Sequence, residues 1–102
     1  MKTPKYLDMK GFLSFLILHE LNKKKLCGDE LSNVIGKRKG SKLTPGTIYP
    51  TLKRLNKLRL IRMKQNGRKK NYNLTKKGKN ELKSTYKIFN KLFVGLKSKI
   101  KK

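Results

Sequence analysis

At 102 residues the chain has room for one domain with a modest core and not for two, and 29 Lys plus Arg against 5 Asp plus Glu give it a formal net charge of +24, well past what solubility needs. Such a surface calls for a polyanion, and the same composition argues against an enzyme: the acids are scattered, and one Cys with one His can build neither an internal disulfide nor a zinc site. No apolar run reaches membrane-spanning length, and Met1-Lys2-Thr3-Pro4 leads into mixed polar sequence where a signal peptide would be apolar, so a cytoplasmic protein without metal or cofactor is expected.

Residues 1–8 form a short basic arm. From Met9 to about Asn22 the residues Phe12, Leu13, Phe15, Leu16, Ile17, Leu18 and Leu21 leave almost no polar side to a helix, so one flank should meet the rest of the domain and the other a second chain. His19 and Glu20 are neighbours in sequence, which on a helix turns them apart, and His19 is given a structural role. Lys23–Lys25 and Gly28 make a turn, and Cys27 reads as a small buried hydrophobe. Asp29 and Glu30 then sit where carboxylates favour a helix start, with Leu31, Val34 and Ile35 as the inner face of a second helix ending at Gly36 or soon after. Lys37-Arg38-Lys39-Gly40-Ser41-Lys42 is read as a flexible basic loop suited to phosphate.

The third helix is the most legible. Thr44 is a good N-cap, Pro45 fits the first turn, and Ile48, Leu52 and Leu55 recur at helical spacing. The opposite face carries Gly46, Lys53, Arg54 and Lys57, with Thr47 and Tyr49 on its edges and no acid. Pro50 falls inside this helix and predicts a bent or late-starting first turn. Next, Ile61 and Met63 alternate with Arg62 and Lys64, Asn66-Gly67 is a two-residue hairpin signal, and Lys70, Tyr72 and Leu74 alternate on the return. A turn at Asn66-Gly67 sets Gln65 opposite Arg68, Met63 opposite Lys70 and Ile61 opposite Tyr72, and leaves Arg68 and Lys69 near the tip. A solvated, Lys-rich surface hairpin is the plainer alternative.

Thr75 caps a last basic helix expected to run to the end of the chain. Its apolar residues Leu82, Tyr86, Phe89, Phe93, Leu96 and Ile100 are spaced four, three, four, three and four apart, a heptad seam. The seam either docks on its own domain or packs against the first helix across a two-fold interface; the second is preferred, with Phe12, Phe15 and Leu16 as the receiving flank.

Thr44-Pro45-Gly46-Thr47-Ile48-Tyr49-Pro50-Thr51-Leu52-Lys53-Arg54-Leu55, then Leu60-Ile61, then Gly67 to Gly78 with Tyr72 and Thr75 between, resembles the signature of the PadR family of winged-helix transcriptional regulators. The resemblance covers about a third of the chain closely. It implies a mainly α fold with a small β-hairpin: a winged helix-turn-helix of three helices and a two-stranded wing over residues 1–74, followed by a long C-terminal dimerisation helix over 75–102, together one compact unit. It also implies a homodimeric regulator, usually a repressor, on inverted-repeat double-stranded DNA, with the C-terminal helix crossing onto the partner. Some similar proteins release DNA when a small apolar or phenolic compound binds; here Cys27-Gly28-Asp29 stands where the family often has Tyr-Gly-Tyr, and there is no Trp, so a small-molecule inducer is only weakly supported.

In such a fold the third helix enters the major groove and the wing follows the backbone. Thr47, Tyr49 and Lys53 are then the candidates for base edges, and Lys42, Arg54, Arg68, Lys69 and Lys70 for phosphate, with Thr44 and Lys57 also close to DNA. The rival reading is a sequence-neutral architectural DNA-binding protein, for which the charge alone is the argument. An RNA-associated protein is disfavoured, since no exposed run of aromatics is available for stacking unpaired bases.

Overall fold

The computed structural model describes residues 10–40, 43–96 and 99. The chain runs α1 (Lys10–Lys23), β1 (Leu26–Cys27), α2 (Gly28–Lys39), α3 (Pro45–Lys57), β2 (Ile61–Asn66), β3 (Lys69–Leu74) and α4 (Lys76–Leu92). Leu13, Ile17, Leu18 and Leu21 of α1 meet Leu31 and Ile35 of α2, Ile48, Leu52 and Leu55 of α3, Ile61, Tyr72 and Leu82 in one buried cluster. The three apolar residues expected on the inner face of α3 are therefore its buried ones, whereas Val34 of α2 is only partly covered. Among the described residues no helix is long and apolar enough to cross a membrane.

The wing gains a third strand. The sheet order is β1-β3-β2, all antiparallel, because Leu26 and Cys27 pair with Tyr72 and Asn71 where the sequence suggested only a turn. Within the hairpin the register differs from expectation: Gln65 faces Lys70, Met63 faces Tyr72 and Ile61 faces Leu74. The turn lies at Gly67-Arg68 and not at Asn66-Gly67. Gly67 has φ of +66° and Arg68 is not in the left-handed region, so the glycine fills the first loop position, as a type II′ turn requires, and Asn66 joins the strand. The slip is by two residues, so each side chain keeps its face, and Ile61 and Tyr72 are still buried.

Three helix boundaries also move. α2 continues through Lys37, Arg38 and Lys39 before Gly40 ends it, so most of the expected basic loop is helical. Its start is a capping box on Cys27: the Cys27 N–H donates to Glu30 Oε1 at 2.9 Å, and that bond, ahead of the charges of Lys69 and Lys24, holds the Glu30 carboxyl below its ordinary value. α3 starts at Pro45 with no delay. Thr44 accepts two backbone bonds at its carbonyl, from Thr47 at 3.0 Å and Ile48 at 3.1 Å, which tightens the first turn ahead of Pro50. The Thr44 hydroxyl caps no backbone amide and lies 3.0 Å from the hydroxyl of Thr47.

α4 begins as expected, with the Thr75 hydroxyl accepting from Gly78 N–H at 3.0 Å. The same hydroxyl lies 2.7 Å from the Arg59 carbonyl, and Thr75 N–H donates to Leu60 at 3.1 Å, which ties the helix start to the turn between α3 and β2. It does not run on as one helix. α4 ends at Leu92, Phe93 caps it, and Gly95 takes φ of +86°, so the seam breaks between Phe93 and Leu96. Ile100, the last expected seam residue, lies outside the described residues.

Candidate DNA-binding surface

The outward face of α3 is exposed from Thr44 through Gly46, Thr47, Tyr49 and Lys53 to Lys57. The tip of the hairpin, Arg68, Lys69 and Lys70, is exposed beside it. The two elements share a surface. Tyr49 and Lys70 line both a shallow cleft of about 300 Å³ toward the start of α2 and another of about 260 Å³ toward Lys53, Asn56 and Met63. The helix and the wing therefore offer one cationic strip, which suits a polyanion with a groove flanked by phosphates.

One expected member departs from the pattern. Arg54 turns back to α1, where its Nη2 donates to Ser14 Oγ at 2.9 Å, so its guanidinium braces α3 against α1 and is less available to phosphate than Lys53 or Lys57. Lys42 lies outside the described residues, as does the arm of residues 1–8. Arg38, part of the expected basic loop, is also engaged: its Nε donates to Glu20 Oε2 at 2.6 Å. Glu20 is 3% exposed, and Lys23 approaches its other oxygen at 3.5 Å. Burial alone would raise the Glu20 carboxyl, but the hydrogen bond and charge of Arg38 with the help of Lys23 hold it below the ordinary carboxylate value.

Asn56 was missed from the sequence. It follows Lys53 by three positions, hence on the same helical face, and lines the cleft with Tyr49; its amide is the bidentate partner that an adenine edge takes. Asp29 was read only as a helix-start charge, yet it lines the other cleft with Arg68, Lys69 and Lys70.

The residues assigned to a dimer interface do not share one environment. Leu82 is buried in the protomer's own core and has no surface to offer a partner. Phe12, Phe15, Tyr86 and Phe89 form an aromatic joint between α1 and α4, with ring centroids 4.7 Å apart for Phe15 and Phe89 and 5.7 Å for Phe15 and Tyr86. His19 belongs to the same joint through a hydrogen bond between its Nδ1 and the Tyr86 hydroxyl. Burial and then the charge of Arg38 lower its pKa, with Glu20 opposing, and burial raises that of Tyr86. Beyond this joint Ile88, Leu92, Phe93, Val94 and Leu96 stay exposed. An open cavity of about 650 Å³ lies alongside, lined by Phe12, Phe15, Leu18, Leu58, Leu60 and Phe89, with Arg54 and Glu81 at its polar edge; Leu16 is partly buried against the core. Among the described residues no group of three His, Cys, Asp or Glu side chains could hold a metal.

The transcriptional regulator PadR-like family matches the chain over residues 17–84. Among solved structures the chain is similar to a PadR family transcription regulator from Clostridium difficile R20291, with 29% identity over 88% of this chain and 99% of that one and a TM-score of 0.72. It is similar also to a PadR-like transcription factor from Bacteroides fragilis, with 26% identity over 81% and 84% of the two chains and a TM-score of 0.71. RosR of H. salinarum shares the fold, at 21% identity over 81% and 76% of the two chains and a TM-score of 0.75. Comparison with curated proteins finds no match.

Proposed function

The chain belongs to the PadR-like family of transcriptional regulators, and from that premise we propose that it is a repressor that binds an inverted-repeat operator as a homodimer. The observation that carries the reading is the single strip made by α3 and the wing, joined where Tyr49 and Lys70 line the same two clefts. α3 enters the major groove, with Thr47, Tyr49, Lys53 and Asn56 toward base edges. Thr44, Lys57, Arg68, Lys69 and Lys70 meet the flanking phosphates, and Arg54 acts mainly from behind by fixing α3 on α1. The role is non-catalytic and cytoplasmic, and it needs no cofactor.

The dimer rests on the exposed apolar end of α4. Ile88 and Leu92, one turn apart on α4, are 54% and 65% exposed, and Val94 just past its end is 75% exposed, apolar surface that a second copy could cover. Laid against the cavity beside α1 of a second copy, each apolar end would be covered by the cavity of the other protomer around a two-fold axis, and the two α3 helices would address the two halves of a repeat. A small-molecule inducer forms no part of this proposal.

The test is a competition assay. A regulator should prefer the inverted repeat upstream of its own reading frame over scrambled DNA by about 10³ or more at physiological salt. Equal affinity for both would favour the sequence-neutral architectural reading, whose sole support is the charge of +24.

A further inference from the structure

We propose that Gly28, on a helix that reads no base, is a positioning residue for DNA recognition: the space of its missing side chain is the seat of the Tyr49 ring. The inference rests on the reading that Tyr49 faces DNA.

Gly28 is the first residue of α2 and is buried. Its backbone gives no reason for glycine, because Gly28 is not among the residues with positive φ and glycine is a poor helix former. The reason lies across the interface. A Cβ built on Gly28 would stand 2.6 Å from Tyr49 Oη, 2.9 Å from Cε1 and 2.9 Å from Cζ, so its three nearest neighbours are all atoms of one phenol. Contacts that short do not occur, so a side chain at position 28 must displace the outer end of the ring from this seat.

Eviction would matter because of where the ring lies. Tyr49 is 41% exposed on the recognition face, and it divides the two clefts that Lys70 also lines. With its outer end seated on Gly28, the ring lies along the protein surface between α2 and the wing and does not stand out from α3. A phenol has two side-chain torsions, and an exposed one without a seat samples several rotamers. The close contact with a residue lacking Cβ restricts them, so the face offered to a base pair is fixed before DNA arrives, which lowers the ordering cost of recognition.

The experiment has a DNA-free arm and a DNA arm. In isotope-labelled wild-type protein, the Gly28 Hα protons should show nuclear Overhauser contacts to the Tyr49 ring; their absence would overturn the inference. Gly28→Ala should leave the thermal midpoint equal or higher, since alanine suits the helix, and should leave the salt dependence of binding unchanged, since no phosphate contact is lost. The DNA probes are a duplex enriched from a random library by the wild type and a scrambled duplex of equal composition. Gly28→Ala should reduce the affinity ratio between them by about ten- to a hundredfold, the usual worth of one base contact. Tyr49→Ala should cost the same, and adding Gly28→Ala to it should cost nothing more, because no ring remains to evict. An unchanged ratio in Gly28→Ala, or an equal loss in the Tyr49→Ala background, would overturn the inference. If Gly28→Ala fails to fold, the double variant decides: its folding supports the clash with Tyr49, and its failure overturns it. A library from which nothing is enriched would refute specific recognition and with it this role for Gly28, while the Overhauser contacts would still decide the packing; the two failures are thus distinguishable.

Discussion

Replacing Ile88 and Leu92 by glutamine tests the proposed dimer without disturbing the protomer. Both lie on α4 one turn apart, 54% and 65% exposed. Phe89 would be a poor probe, because its ring packs on Phe15 with centroids 4.7 Å apart inside the same chain, so its loss would loosen the joint of α1 and α4 as well. Full burial of a Leu or Ile side chain contributes roughly 1.5–3 kcal/mol, which scaled to the surface these two still expose is about 1–2 kcal/mol each. A two-fold interface uses each residue twice, so the double change should remove about 4–8 kcal/mol, equivalent to at least ~10³ in the dimer dissociation constant. Glutamine is neutral and a good helix former, hence neither the charge of +24 nor the helix content should change. Sedimentation velocity at micromolar concentration should show a wild-type dimer and a variant monomer that keeps its helix content by circular dichroism but melts at a lower temperature, independent of its concentration, because dimerisation stabilises the folded chain. Raising the salt should tighten the wild-type dimer by screening two highly cationic chains, even as it weakens DNA binding. The monomer should lose most of its affinity for the full inverted repeat while keeping its affinity for scrambled DNA. A wild type that sediments as a monomer, or a monomeric variant that binds the full repeat undiminished, would refute the reasoning.

Arg68→Ala or Lys69→Ala at the wing should weaken binding to every duplex alike and lower the salt slope by about one each, which a titration across salt concentrations measures. Lys53→Ala or Asn56→Ala on α3 should narrow the gap between operator and scrambled DNA by about tenfold or more in the same assay. Arg38→Ala strands the buried carboxylate of Glu20 with only Lys23 at 3.5 Å, and should destabilise the fold by about 2–3 kcal/mol in urea unfolding; Glu20→Gln should cost less, since no charge is left behind. Stability should also fall on acidification in two steps. His19, its pKa lowered from 6.5 on folding, takes up a proton more readily when unfolded, so its share is complete above about pH 6.5 and is lost as pH falls toward its folded value. Glu20, lowered from 4.5, contributes fully above that pH and loses its share below it, and His19→Phe should remove the first step from the pH profile while keeping the second.

What could be read from the chain was whatever local pattern encodes. α1 was expected from Met9 to Asn22 and spans Lys10–Lys23, and the cap, proline and apolar spacing of α3 carried its start and buried face. The faces of the hairpin followed from alternation, but its register did not, because glycine satisfies either position of a two-residue loop and a slip by two leaves the alternation intact. β1 has two residues and no periodicity of its own; only its pairing with Tyr72 and Asn71 makes it a strand. The same holds for the bonds of Arg38 with Glu20 and Arg54 with Ser14, which join residues 18 and 40 positions apart. The heptad spacing carried the C-terminal seam past Phe93, and the conformation of Gly95 broke it. Tyr49 was legible as a residue of the exposed face, while the lean of its ring onto Gly28 needed the fold.

The charge of the chain is consequently a poor guide to its selectivity. Part of it is used internally: Arg38 neutralises Glu20, Arg54 braces α1, and Lys77 donates to the Leu58 carbonyl at the end of α3 at 3.0 Å. What remains on the wing releases counterions from any duplex and gives affinity without preference, so a regulator and an architectural protein with these same cations would bind bulk DNA alike. The difference between them has to come from uncharged geometry: the spacing that a dimer built on Ile88 and Leu92 would impose, and the ring of Tyr49 held on Gly28. Changes at those positions, and at Lys53 and Asn56 on α3, should therefore alter the ratio of operator to scrambled affinity, and changes at Arg68, Lys69 and Lys70 of the wing the absolute affinity. Were the wing cations instead to set the ratio and the recognition-face and dimer positions only the strength, the division of roles drawn from the fold would be reversed.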